Sequence, residues 1–267
     1  MAKPDLFNDL PTTNHVVAQT NRIQRVFQTK RRDVLSVYFT AGFPQTDDTR
    51  TVISALADAG ADLIEIGVPF SDPIADGPTI QQSNQRALDG GMTLHRLFEQ
   101  LEGVRDEVDV PLILMGYLNP MIQFGMEAFC KRCAAVGVDG LILPDLPLPV
   151  YDREYAALFR RYGLLNIFLV TPQTSEARIR RIDEVSDGFI YLVSTAGTTG
   201  ARAGISGEQE AYFARVRAME LENPTLIGFG ISDRSTFEQA CRHANGAIIG
   251  SAFIPLLEGS KDQPADV

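Results

Sequence analysis

The residue whose type and setting most clearly could do chemistry is Glu65, in the string LIEIGVPFSDPIADG. It stands between Ile64 and Ile66 in an apolar run, where a buried carboxylate is costly unless it is paired or neutral. Because no Lys or Arg occurs in any predicted strand, we favour a functional carboxyl over an ion-paired residue of a barrel layer. Apolar surroundings should raise its pKa toward the range in which one carboxyl both takes and gives a proton. The sequence therefore predicts a general acid/base at Glu65.

Two further carboxylates, Asp72 and Asp76, follow in a loop that Pro69, Pro73 and Pro78 stiffen. Long ordered loops after barrel strands usually carry function. Asp72 precedes a proline, so a role in capping the turn is as good an interpretation of this residue as a functional role. Asp76 is the better placed of the two to reach a substrate.

Glycines in three late strings could hold an anion. The strings are GTTGARAG (197–204), GFGIS (228–232) and GSAF (250–253), each at or after the end of a predicted strand. Glycine lets backbone N–H groups approach a phosphate, and the loops after the last two strands form the recurrent phosphate site of α/β barrels. The convergence of the three strings predicts a phosphorylated substrate.

These residues need a scaffold that brings strand ends together. Short β-branched runs recur along the chain, and most are followed by a stretch with helical spacing. The eight predicted strands are 35–42, 61–69, 110–117, 139–145, 165–171, 188–195, 225–232 and 246–253. Strands apolar on both faces that alternate with helices indicate an α/β protein, and eight units favour a closed (β/α)8 TIM barrel over an open doubly wound sheet. The active site of such a barrel lies at the carboxyl ends of its strands.

The domain organisation is expected to be simple. An extra N-terminal helix over 21–30 precedes the first strand and should close the bottom of the barrel. Residues 1–20 are predicted to form a loose extension, and 21–267 a single barrel domain without an internal boundary. The sequence stops soon after PLLEGS, so the last helix is expected to be short.

Charge and cysteine content narrow the function classes. The 267 residues include 34 Asp plus Glu and 24 Lys plus Arg, a net charge of −10, which disfavours nucleic acid and anionic membranes as partners. Three cysteines, an odd number, fit a reducing compartment, so we predict a cytoplasmic protein.

Metal and cofactor signals are weak. The C-x-x-C string CKRC (130–133) falls in a helical pattern with no second pair, and His15, His95 and His243 fall in the extension or on predicted helices. There is no Walker loop and no dinucleotide-binding glycine motif between strand and helix. We therefore predict no metal and acid/base chemistry without a cofactor on a small phosphate ester.

The string LIEIGVPFSDPIADGPTIQ resembles the signature of the tryptophan synthase α subunit family. The similarity extends from about residue 21 to 257 and includes YLNP, PDLPL, YLVSTAGTTG, GFGIS and GSAF in the same order. It implies a TIM-barrel lyase that cleaves indole-3-glycerol phosphate to indole and glyceraldehyde 3-phosphate by a retro-aldol reaction. It further implies that Glu65 is the acid/base, that Asp76 binds the indole N–H, and that Tyr191 lies near the catalytic glutamate.

The resemblance also assigns the substrate contacts. The glycine-rich loop with Thr199 and Gly200 would close over the substrate, and Thr199 would meet Asp76. The other matched positions are Gly230, Gly250 and Ser251 for the phosphate and Tyr38 and Phe229 for the walls of the indole pocket.

A partner is implied by the same resemblance. The family works as an αββα complex in which indole passes to a β subunit, and the pyridoxal phosphate would belong to that β chain. Asp72, Pro73 and Asn119 correspond to the surface that meets it. Two other functions stay open, a catalytically weak subunit that activates a β chain and a standalone lyase that releases indole. A third alternative, the related barrel enzyme indole-glycerol-phosphate synthase, would require lysines at strand ends. The predicted strands have no lysine, which argues against it.

Overall fold

Eight parallel strands close into a barrel in chain order, and the last pairs with the first. The computed structural model describes residues 20–194, 207–228 and 230–259. The strands are β1 (Val34–Thr40), β2 (Leu63–Gly67), β3 (Leu112–Met115), β4 (Gly140–Ile142), β5 (Leu165–Val170), β6 (Ile190–Val193), β7 (Thr225–Gly228) and β8 (Gly246–Ile249). The predicted TIM barrel is confirmed. Each strand ends earlier than its predicted run, and those final residues of the runs that the structure describes lie beyond the strand ends.

Helices cover the outside of the barrel. They are α1 (Arg22–Thr29), α2 (Thr49–Asp58), α3 (Pro78–Asp89), α4 (Leu94–Leu101), α5 (Leu118–Phe124), α6 (Met126–Val136), α7 (Leu148–Val150), α8 (Ala156–Arg161), α9 (Glu176–Val185), α10 (Gly207–Ala218), α11 (Arg234–Cys241) and α12 (Ile254–Gly259). Because β2, β3, β4 and β6 are buried along their whole length, their side chains pack both into the barrel and under these helices. Within the described ranges, no helix is long and apolar enough to cross a membrane.

The extra helix α1 closes the barrel at the amino ends of the strands, as predicted. Ile23 is fully buried and reaches Gly140 at the start of β4. Asn21 caps the helix by accepting from the Ile23 N–H at 2.9 Å, and its amide donates to the Asp139 carbonyl at 2.9 Å. Helix α1 therefore covers the amino ends of these strands, and the active site is expected at the opposite, carboxyl end of the barrel.

Residues 1–19 and 260–267 lie outside the described residues, so the predictions of a loose extension and of a short last helix stay predictions. In the described part, α12 keeps Ile254 buried and leaves Leu256 67% exposed.

Candidate active site

Glu65 lies in the middle of β2 with its side chain inside the barrel and no exposed surface. Tyr38 of β1 stands opposite it in register. The Ser36 hydroxyl donates a 2.7 Å hydrogen bond to Glu65 Oε1, while Oε2 has no hydrogen-bond partner among the described residues. Burial raises the pKa of Glu65 to about 7, and the Ser36 hydrogen bond opposes that rise. The raised pKa brings this carboxyl into the range in which it can both take and give a proton near neutral pH, as the apolar sequence around it predicted.

Asp76 lies in the loop between β2 and α3 and is only 5% exposed. The loop turns tightly there, since the Asp76 N–H donates to the Pro73 carbonyl at 3.0 Å and the Gln81 side chain donates to the Asp76 carbonyl at 2.9 Å. Tyr117 Oη donates to Asp76 Oδ2 at 3.3 Å, and Oδ1 has no partner in the described part of the chain. Burial raises the pKa of Asp76 to about 6, against the effect of the tyrosine hydrogen bond.

Tyr117 is a site residue that the sequence reasoning missed. It lies two residues after the end of β3 and is 6% exposed. Its hydroxyl accepts from the Ala75 N–H at 2.9 Å, and its ring stacks on Phe70 with 5.0 Å between ring centroids. Tyr117 thus holds the loop at Phe70, at Ala75 and at Asp76 itself. The signal was the tyrosine of the YLNP string, which falls at the same edge of the sheet as the end of β2.

Two buried phenols complete the interior of the site. Tyr38 and Tyr191 are each 5% exposed, and burial together with the negative charges of Glu65 and Asp76 raises the pKa of both. Both tyrosines therefore stay neutral and lie within electrostatic range of both carboxyls. The structure brings Tyr38, Glu65, Asp76 and Tyr191 together.

Glycine is required where these phenols lean against neighbouring strands. A side-chain carbon at Gly67, at the end of β2, would overlap the hydroxyl of Tyr38. One at Gly228, at the end of β7, would overlap the hydroxyl of Tyr191. The two glycines leave the room in which the tyrosine rings lie across the barrel.

The predicted phosphate contacts lie at the same end of the barrel. Gly230 follows β7 with φ +78°, a left-handed conformation that favours glycine, and Gly250 and Ser251 follow β8. Gly250 lies beside Tyr38, since a side-chain carbon there would be 3.7 Å from the Tyr38 ring. Thr199, Gly200 and Phe229 lie outside the described residues.

Similarity to known proteins agrees with this geometry. The family model described as tryptophan synthase alpha chain matches residues 25–267. The chain belongs to the tryptophan synthase alpha chain family. The alpha chain of Flavobacterium johnsoniae is 57% identical over 240 residues, which cover 90% of this chain and 94% of that relative. The alpha chain of Parabacteroides distasonis is 52% identical over 246 residues, covering 92% and 95%. A tryptophan synthase structure from Mycobacterium tuberculosis aligns with a TM-score of 0.82 at 34% identity, covering 90% of this chain and 93% of that chain.

Family membership fixes the general activity. Proteins of the tryptophan synthase alpha chain family are lyases of tryptophan biosynthesis that cleave indole-3-glycerol phosphate, and this chain has their sequence and their barrel over most of its length. The family acts with a β subunit, which holds the pyridoxal phosphate. What the family match does not assign is the role of each residue.

The residues predicted to meet the β subunit lie together near the mouth of the barrel. Asp72 and Asn119 are exposed, whereas Pro73 is buried and shapes its loop. A groove of about 550 Å³ lies beside them, lined by residues after β2, on α4 and on α5, His95 and Asn119 among them. Two large apolar side chains are exposed on the same segments of chain, Ile74 at 83% and Ile122 at 51%. We call the surface formed by Asp72, Ile74, Asn119 and Ile122 the apolar rim.

Proposed function

We propose that Glu65 and Asp76 divide the retro-aldol cleavage of indole-3-glycerol phosphate between them. The observation that supports this most directly is the pair of buried carboxyls, each with one oxygen free of hydrogen bonds in the described part of the chain and each with a raised pKa. No ion pair links either carboxyl to a described Lys or Arg, so both are available to a substrate. The reaction needs a proton donor to a ring carbon, a base for a hydroxyl and a charge partner for the ring nitrogen.

Glu65 serves as donor and base in turn. A proton is added to the indole carbon that carries the glycerol chain, which places positive charge on the ring nitrogen. Removal of the proton from the adjacent hydroxyl lets that oxygen form the aldehyde, the carbon–carbon bond breaks, and its electron pair returns to the ring. One proton enters and one leaves, so a single carboxyl with a pKa of about 7 can perform both transfers at neutral pH.

Asp76 serves as the charge partner. Its Oδ1 is the free acceptor in a buried site, where an ionised carboxylate stabilises positive charge on the ring nitrogen far better than in water. With a pKa of about 6 it is mostly ionised at pH 7 and above, as this role requires. Tyr117 holds Oδ2 and so leaves Oδ1 for the indole N–H.

The other assignments extend the same proposal. Gly230, Gly250 and Ser251 bind the phosphate through backbone N–H groups, Tyr38 lies along the indole pocket, and Tyr191 contacts the reacting end near Glu65. Thr199, Gly200 and Phe229 keep their predicted roles from the resemblance. This chain needs no cofactor of its own for the cleavage, and a cytoplasmic location stays a prediction from its cysteines.

The β subunit of an αββα assembly docks on the apolar rim. A large aliphatic side chain exposed to the extent of Ile74 is costly in water and gains from burial in a partner. The rim lies next to the loop that carries Asp76, so docking and catalysis share one segment of chain. Indole formed in the barrel then passes directly to the partner.

The experiment is a product assay with the purified full chain and indole-3-glycerol phosphate. We expect equal amounts of indole and glyceraldehyde 3-phosphate, with a faster rate when a β subunit is added. Fast release without a partner would identify an autonomous lyase. If neither product forms with or without a β subunit, the chain is a binding subunit and the proposal is wrong.

A further inference from the structure

Ser36 is the residue that contacts the catalytic carboxyl most closely in the described part of the chain. Its hydroxyl and Glu65 are both fully buried, and 2.7 Å separates Ser36 Oγ from Glu65 Oε1. In the register between β1 and β2, Ser36 stands opposite Leu63 and Tyr38 opposite Glu65. Ser36 therefore lies one layer deeper in the barrel than Glu65, on the side away from the open end.

This placement makes the two oxygens of Glu65 different. Oε1 accepts the hydrogen bond from below, and Oε2 has no partner among the described residues. A carboxyl exchanges a proton with a substrate through an oxygen that no protein donor occupies. The Ser36 bond persists in both protonation states, because Oε1 remains an acceptor when the proton sits on Oε2.

We propose that Ser36 is the positioning residue for Glu65: its hydroxyl holds Oε1 deep in the barrel and leaves Oε2 as the oxygen that exchanges protons with the substrate. This inference rests on the proposed function for its catalytic consequence, although the hydrogen bond itself does not. Ser36 does not contact the substrate and acts only through Glu65.

The other groups that face Glu65 are uncharged or distant from this bond. On β3, the register partner of Glu65 is the apolar Ile113. On β1 and β6, Tyr38 and Tyr191 are neutral phenols because burial raises the pKa of each. Asp76 is the nearby ionisable carboxyl on the loop above. Among the described residues, Ser36 thus donates the one hydrogen bond that favours the ionised form of Glu65.

The direction of the effect follows from the bond. A donor to a carboxylate stabilises the ionised form more than the neutral form, so removal of the donor raises the pKa of Glu65. The limb of the pH–rate profile that reports Glu65 therefore moves to higher pH in Ser36→Ala, by about 1 unit. The direction is the same whether the cycle begins with Glu65 protonated or ionised.

The experiment compares Ser36→Ala, Ser36→Thr and Ser83→Ala. The threonine variant keeps a hydroxyl at position 36, and Ser83 is a matched control, since it is a buried serine that bonds to Thr40 at 2.6 Å and not to Glu65. The first readout is the pH profile of indole formation. The second is the pH titration of the Glu65 side-chain carbon by ¹³C NMR in glutamate-labelled protein, with the resonance assigned by Glu65→Gln.

We expect both readouts to shift upward in Ser36→Ala, to return toward wild type in Ser36→Thr, and to stay at wild type in Ser83→Ala. If the alanine variant does not fold, Ser36→Cys, a weaker donor of similar size, should give a smaller shift in the same direction. If Glu65 titrates at the same pH in Ser36→Ala or Ser36→Cys as in the wild type, the inference is overturned. Because the NMR titration needs no turnover, an inactive wild-type protein would count against the proposed function and leave the Ser36 test intact.

Discussion

Glu65 and Asp139 are both buried carboxylates, but within the described ranges only Asp139 is paired with cationic side chains. Asp139, 4% exposed at the end of the barrel that α1 covers, is bound by Arg105 at 2.5 Å and by Arg22 at 3.1 Å. Glu65, in the middle of β2, has a single neutral hydrogen bond among the described residues. A buried carboxyl without a cation is destabilising when ionised, so its presence indicates a role in chemistry and not in stability.

This difference predicts a pH-dependent cost of Glu65 to stability. The unfolded chain ionises a glutamate near 4.5, and the folded chain ionises Glu65 at about 7. Between these values the folded state keeps a proton that the unfolded state has lost, so the free energy of unfolding falls as pH rises. The fall is about 3 kcal/mol when complete.

Glu65→Gln removes this cost. We expect the variant and the wild type to have similar stability near pH 4 and the variant to be the more stable at pH 8, as measured by urea unfolding at both values. The exposed Glu99→Gln is the matched control and should show no such divergence. Parallel pH dependence of Glu65→Gln and wild type would contradict the raised pKa.

Tyr117 acts on the other carboxyl. Loss of its hydroxyl in Tyr117→Phe removes the donor to Asp76 Oδ2 and the acceptor for the Ala75 N–H, so the pKa of Asp76 should rise further above its present value of about 6. We expect kcat/KM at pH 6.5 to fall by about tenfold, with partial recovery at pH 8.5 as Asp76 ionises. An equal loss at both pH values would mean that Tyr117 acts only through the shape of the loop.

At the scale of elements, the sequence predicted which segments are strands but not how neighbouring strands touch. Apolar periodicity identified all eight strands and the closing helix α1, because burial on both faces leaves a continuous pattern in the chain. The Ser36–Glu65 bond joins β1 to β2 across 29 residues, and the Tyr117–Asp76 bond spans 41. Such contacts depend on register and on loop conformation, which no local pattern encodes.

The contact between Tyr191 and the end of β7 gives a prediction at this scale. Gly228→Ala would force the Tyr191 ring or the strand to move, so we expect a loss of about 1–3 kcal/mol in the free energy of unfolding and a lower rate of indole formation. Gly207→Ala, at the start of α10 with open space around it, is the matched control and should leave the stability close to wild type. The free energies of unfolding of both variants are measured by denaturant unfolding. A Gly228→Ala protein as stable as Gly207→Ala would show that β7 and Tyr191 do not pack as described.

At the scale of the whole molecule, we expect side chains of the apolar rim to contribute to partner binding and not to the stability of the isolated chain. Ile74 is 83% exposed, so Ile74→Ser should leave the thermal midpoint of the isolated chain unchanged while weakening its affinity for a β subunit by about tenfold. Leu256→Ser, at another strongly exposed aliphatic position, is the control and should keep wild-type affinity. Titration calorimetry with a β subunit measures both. Equal affinities for the Ile74→Ser, Leu256→Ser and wild-type chains would place the partner on a different surface.

In the proposed mechanism one buried carboxyl, Glu65, transfers both protons of the cleavage. The most direct measurement is the rate of indole formation from indole-3-glycerol phosphate by Glu65→Gln and wild type at saturating substrate, in the presence of a β subunit. Glutamine keeps the size of the side chain and removes its acid/base function, so we predict a fall in kcat by about 10²–10⁴ with substrate binding retained. A Glu65→Gln protein that turns over at a rate near wild type would contradict the account.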